Sequence, residues 1–182
     1  MQSCNAVLLS GLRGGERPAR GERRTAGDQM QQGPESGELR ELLDQHAIER
    51  LLKRYASAID RKQYDRLDDI FSADAWIDYR GAGGIAGHYP EVKRWLAEVL
   101  APIEEMQHFI SNVELEFDGD AATGSTYTLN VNGITVDGEL KHMIVGAVYV
   151  DRFVRRQEGW RIVERTESRI CTFGHAFGPP PQ

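Results

Sequence analysis

Residues 55–60, YASAID, put a phenol (Tyr55) and a carboxylate (Asp60) five positions apart at the end of an apolar helical stripe. Further on, His108, Asn130 and Arg169 fall in segments that otherwise alternate apolar and polar, and Tyr79 closes a shorter one. Phenol, carboxylate, imidazole and guanidinium are the groups that move protons and steady charge near neutral pH. Each also has a plain structural role. Tyr55 could be a core tyrosine whose hydroxyl finds a backbone partner. Asp60 could be a solvated helix end, His108 a satisfied core histidine, and Arg169 a surface partner of Glu164 or Glu167. The elements that carry these residues decide between the two accounts.

Ile48, Leu51, Leu52, Tyr55, Ala56 and Ile59 recur at helical spacing, with Asp44 expected as the N-cap of the main part. A short helix is expected over 64–71, with Leu67, Ile70 and Phe71 inward. Residues 74–81 alternate and run into glycines, as a strand entering a turn does. The glycines of GAGGIAG (81–87) lack the lysine of a P-loop and the helix-opening context of a dinucleotide fingerprint, so a glycine-rich hairpin is the better reading. Pro90 opens an amphipathic helix bearing Val92, Trp95, Leu96, Val99 and Leu100. The rest is strand: 106–117, 121–134, 141–155 and 159–173, with turns at 118–120 and 157–159. Long strands joined by short turns predict an antiparallel sheet, and helices followed by strands predict an α+β fold with helices over one sheet face.

Alternation then selects the inward residues. In 106–117, parity separates His108 from the apolar set Phe109, Val113, Leu115 and Phe117, and a single bulge would reverse this. Residues 141–155 are apolar on both faces, which predicts a central strand buried on both sides or one facing another subunit. A sheet curved around a helix leaves a small-molecule cavity at its mouth. Tyr55, Asp60, Tyr79, His108, Asn130 and Arg169 are the candidates to line it, with Tyr127 a further substrate-binding candidate.

Composition narrows the partners. A net charge of -6 argues against nucleic acid, which demands clustered Lys and Arg. No apolar run approaches the roughly 18–20 residues that cross a bilayer, so no membrane partner and a cytoplasmic location are expected. Cys4 and Cys171 lie far apart without metal-like spacing, and the histidines form no cluster, so no metal is placed. Residues 1–37 hold seven glycines and five arginines and few groups able to form a core, which predicts disorder. Met30 offers an alternative start, in which case the preceding residues are a start-site artefact. The domain is expected over 38–175, with 176–182 an arm that packs on a neighbour or caps a pocket.

Three segments resemble a known family: AIERLLKRYASAIDRKQYDRLDDIFSADAWIDYRG (47–81), HFISNVELEFDGDAATGSTY (108–127) and RFVRRQEGWRIVERT (152–166). Together they resemble the NTF2-like superfamily and, within it, the SnoaL-like group of small dehydratases, isomerases and cyclases. The resemblance implies a cone-shaped fold, a curved antiparallel sheet wrapped around N-terminal helices. The pattern is most similar to bile-acid 7α-dehydratases, scytalone dehydratases and hexachlorocyclohexane dehydrochlorinase, whose helix-end aspartate and strand histidine fall on Asp60 and His108. The tyrosine of the bile-acid enzymes falls on Tyr55, and Arg169 is the nearest match to their last-strand arginine. The dehydrochlorinase carries a lysine where this chain has Tyr55, which counts against dehydrochlorination.

The activity so implied is a cofactor-independent dehydratase, a carbon–oxygen lyase removing water from a hydrophobic, hydroxylated cyclic substrate such as a steroid or polyketide. His108 would be the base, Asp60 its orienting partner, Tyr55 a donor to oxygen, and Arg169 a counter-charge. Such chemistry requires neither a metal nor an organic cofactor. A double-bond isomerase or polyketide cyclase, a dehydrochlorinase, and a non-catalytic binding or assembly module are the alternatives. The resemblance also implies a homo-oligomer, a trimer ahead of a dimer.

Overall fold

A computed structural model of the chain describes residues 36–174. The expectations for residues 1–35 and for the arm at 176–182 lie outside the described residues. The elements run α1 (Ser36–Asp60), a 3-10 turn (Tyr64–Asp69), β1 (Phe71–Gly81), β2 (Ala86–His88), α2 (Tyr89–Val99), β3 (Glu105–Asp118), β4 (Ala121–Val136), β5 (Glu139–Arg156) and β6 (Gly159–Gly174). They build one curved, unclosed sheet in the order β2-β1-β6-β5-β4-β3, the expected cone-shaped α+β fold. Among the described residues, no helix is long and apolar enough to cross a membrane.

The apolar stripe of α1 is buried as its spacing requires, with Ile48, Leu52 and Ala58 fully enclosed against Phe71, Ile77, Tyr149, Phe153 and Ile162. Asp44 is not an N-cap. The helix begins two turns earlier, and Asp44 sits 6 % exposed within it, accepting hydrogen bonds from Arg155 Nη2 on β5 and Trp160 Nε1 on β6. The expected helix over 64–71 is also shorter. It gives way to strand at Phe71 because Ile70 already bonds across to β6, its carbonyl accepting the Ile162 N–H at 2.9 Å.

Every neighbouring strand pair is antiparallel except β1 with β6, which is parallel. The four long strands joined by short turns pair antiparallel as expected, while β1, reaching β6 across the whole intervening chain, pairs with it in parallel. The glycine-rich segment is the expected hairpin, pairing Ile77 with Gly87. Asp137 and Gly138 turn the chain between β4 and β5 with φ of 53° and 81°, as a two-residue type I′ hairpin demands.

One irregularity controls the interior. In β3, Asn112 adopts φ 46° and the register with β4 shifts between Ser111 and Glu114. Asparagine tolerates this left-handed conformation. The resulting bulge puts Met106, His108 and Ile110 on the same face as Val113, Leu115 and Phe117, so the histidine looks inward with these three apolar residues, while Phe109, before the bulge, faces outward.

Candidate active site

Asp60 is the last residue of α1, at the negative end of the helix dipole, where a carboxylate is favourable only if donors outside the helix meet it. Strand β3 supplies them. Asp60 Oδ1 lies 2.5 Å from His108 Nδ1, and Oδ2 accepts the His108 backbone N–H at 3.1 Å. Lys62, just past the helix end, donates through Nζ to the carbonyls of Ala101 at 2.9 Å and Ile103 at 2.7 Å, stitching α1 to the lead-in of β3. An ionised carboxylate only accepts, so in the neutral ring Nδ1 carries the proton and Nε2 keeps its lone pair. The His108 side chain is 7 % exposed and lines a cavity of about 550 Å³, with Asp60 behind it.

The opposite wall is aromatic. Tyr55 comes off α1 and Tyr79 off β1, both 3 % exposed, and their hydroxyls lie 3.0 Å apart. Tyr149 on β5 meets Tyr55 edge-on, with ring centroids 5.8 Å apart. Burial pushes the Tyr55 phenol above its ordinary range, and Tyr79 and Tyr149 well above it, so all three stay protonated and serve as hydrogen-bonding groups. Behind them Arg165, wholly buried, grips Asp151 through two bonds of 2.7 Å and lies over the rings of Tyr55 at 4.3 Å and Tyr149 at 4.2 Å. Burial opposes the guanidinium charge, but the Asp151 carboxylate outweighs it and Arg165 stays protonated.

Asn130 stands directly across from His108 in the β3–β4 register and lines the cavity at 7 % exposure, its Oδ1 without a hydrogen-bond partner among the described residues. Arg169 reaches the rim, where Nη2 donates to the Ala82 carbonyl in the β1–β2 turn rather than to a glutamate. Glu164 instead pairs with Arg152 at 3.0 Å. The structure thus gathers Tyr55, Tyr79, His108, Asn130 and Arg169 around one cavity with Asp60 behind. Tyr127 is not among them: it points away from the helices, 44 % exposed, because it lies at odd separation from Asn130 on an unbroken strand.

Four features escaped the sequence reading: Tyr149, Asn132, the Arg165–Asp151 pair and Glu167. Asn132 was legible, lying two residues from Asn130 on the same face. Glu167 lines the cavity between Arg165 and Arg169, and burial pushes its carboxyl up to about 7 against the opposing pull of both arginines. Among the described residues, no three His, Cys, Asp or Glu side chains converge to hold a metal ion.

Comparison with known proteins agrees with this architecture. Residues 40–166 match the SnoaL-like domain. An uncharacterized protein of Mycobacterium tuberculosis is 40% identical over 130 residues, spanning 71% of this chain and 87% of its own. The gamma-hexachlorocyclohexane dehydrochlorinase of Sphingobium indicum is 30% identical over 151 residues, spanning 79% and 93%. The structure of a hexachlorocyclohexane dehydrochlorinase from Novosphingobium barchaimii superposes with a TM-score of 0.66 at 25% identity, over 79% of this chain and 99% of that one. On the match to residues 40–166 and the extent of these relatives, the chain belongs to the SnoaL-like family.

Proposed function

We propose that the protein is a cofactor-independent dehydratase that eliminates water from a hydrophobic, hydroxylated cyclic substrate of steroid or polyketide size. The observation that carries this reading is the Asp60–His108 pair at the wall of a cavity of about 550 Å³. A passive pocket has no need of a carboxylate that holds an imidazole through one oxygen and the backbone N–H of the same residue through the other. His108 Nε2 takes the C–H proton beside a carbonyl, and Asp60 stabilises the imidazolium that forms. Of the paired Tyr55 and Tyr79 hydroxyls, one donates to the other, and the remaining proton is free to donate to the oxygen that gains charge. Arg169, at the rim, meets a negatively charged group of the substrate.

The test sets wild type beside His108→Ala on a panel of hydroxylated ketosteroids and polyketide alcohols, following loss of water by mass spectrometry. Turnover by the wild type is expected to fall by roughly two to four orders of magnitude in the variant. Turnover that survives the substitution removes His108 as the base. A second reading, loss of hydrogen halide, draws support from the dehydrochlorinase relatives, because the same base and partner would serve a chloride leaving group. A chlorinated panel run in parallel separates the two.

The reading extends to assembly as a homo-oligomer, a trimer ahead of a dimer. Phe109, Tyr127, Leu129 and Val150 lie together on the outer sheet face, each 42% to 54% exposed, an apolar surface suited to a second subunit. Light scattering on the full chain is expected to give two or three times the mass of one chain. A monomeric mass at micromolar concentration would refute it.

A further inference from the structure

We propose that Glu167 is the proton donor of the cavity, delivering a proton to the oxygen that leaves. The proposal rests on the elimination reading and assigns a second acid–base group to the same site. Elimination of water breaks a C–O bond, and hydroxide is a poor leaving group unless an acid protonates it as the bond breaks. His108 serves the C–H side and, paired with Asp60, is committed to that end. The three tyrosines of the aromatic wall are held protonated by burial, which suits them to hydrogen bonding and not to giving up a proton. Arg169 offers a guanidinium, a hydrogen-bond donor and not a proton source.

Glu167 is differently placed. The run Arg165–Thr166–Glu167–Ser168–Arg169 alternates along β6, so the two arginines and the glutamate between them share the inner face. Proximity alone would make Glu167 an ordinary ion-pair partner, yet both arginines are engaged elsewhere. Arg165 is clamped on Asp151, its register partner on β5, and Arg169 donates to the Ala82 carbonyl. Glu167 makes no hydrogen bond or ion pair with any described residue, and its register partner is Tyr149. Its neighbours from the other packed elements, Tyr55 on α1, Tyr79 on β1 and Tyr149 on β5, are neutral. An unpaired carboxyl in a cavity wall is costly as an anion and holds its proton to near neutral pH.

The step balances. His108 Nε2 takes the C–H proton, the C–H electron pair becomes the new double bond, and the C–O bond breaks with its electrons on oxygen. That oxygen takes the Glu167 proton and departs as water. Imidazolium and carboxylate remain, and one proton passed through solvent from His108 to Glu167 restores the site. The chemical class that fits is therefore a substrate with an un-ionised hydroxyl β to a carbonyl.

Two experiments decide it. The first titrates the wild-type protein with carbon-13-labelled glutamate carboxyls, the Glu167 signal assigned by its loss in Glu167→Gln. A midpoint near 7 is expected, and a midpoint below about 5, the ordinary carboxylate range, overturns the proposal whether or not any probe is turned over. The second compares a β-hydroxy ketone, the aldol of benzaldehyde and acetone, with its acetate ester, both of which eliminate to the same conjugated enone. Acetate leaves without protonation, so Glu167→Gln is expected to lose about 100-fold on the alcohol and less than about three-fold on the ester. Equal loss on both, or on neither, overturns the role of Glu167. His108→Ala is expected to lose both activities, and if it keeps both, the elimination reading itself has failed, a result carried by a different variant.

Discussion

Replacing Asp151 by alanine is expected to lower the stability of the protein by about 3–5 kcal/mol. The side chains of Arg165 and Asp151 are 0% and 1% exposed, and two bonds of 2.7 Å join them. Removing the carboxylate leaves a guanidinium without counter-charge between the rings of Tyr55 and Tyr149, a position no water reaches without opening the core. That loss is a large share of the 5–15 kcal/mol that holds an ordinary domain together. Urea unfolding of wild type and Asp151→Ala measures it, and a change under about 1 kcal/mol would show that the pair is hydrated. The double replacement Asp151→Leu with Arg165→Met is expected to recover most of the loss, because two apolar side chains of similar volume need no partner. The pair therefore adds little net stability over such a core. What it does instead is hold a positive charge behind the tyrosine hydroxyls that face the cavity.

Much of this arrangement was legible because apolar periodicity is a local signal. The stripe through Ile48, Leu52 and Ile59 defined α1, and alternation defined the four long strands with their turns. The five-residue separation of Tyr55 and Asp60 placed both near one end of the helix, and the family resemblance drew His108 to them. What stayed hidden depends on single-residue steps. Asn112 reverses the parity of β3, and nothing local marks it as the residue that adopts a positive φ. Tyr127 and Asn130 could not both face inward on a strand without a bulge between them, so parity already separated the two. Buried ion pairs are harder still, since Arg165 could have met Glu164, Glu167 or Asp151, and only the β5–β6 register selects Asp151. The same register frees Glu167 and leaves Arg169 at the rim. The parallel pairing of β1 with β6 rests on contacts across most of the chain, where short-range patterns carry no information.

Asp60→Asn is expected to lower turnover by about two to four orders of magnitude while leaving the fold intact. The carboxylate meets two donors at once, the ring Nδ1–H through Oδ1 and the backbone N–H of His108 through Oδ2. An amide has one oxygen and one N–H₂ group, so it can face only one of those donors with an acceptor. The backbone N–H cannot turn away, since β3 fixes it, whereas the imidazole can change tautomer. The amide oxygen therefore keeps the backbone bond, and its N–H₂ group faces Nδ1, which must then be the acceptor. The proton moves to Nε2, and the nitrogen facing the cavity loses the lone pair that takes the C–H proton. Stability changes little because the substitution is isosteric and both positions retain a bond. Nitrogen-15 spectra of the His108 ring distinguish the tautomers without any substrate, and the wild type is expected to show the proton on Nδ1. A variant that keeps that tautomer, or that turns over within about three-fold of wild type, would mean that Asp60 anchors the strand and does not orient the base.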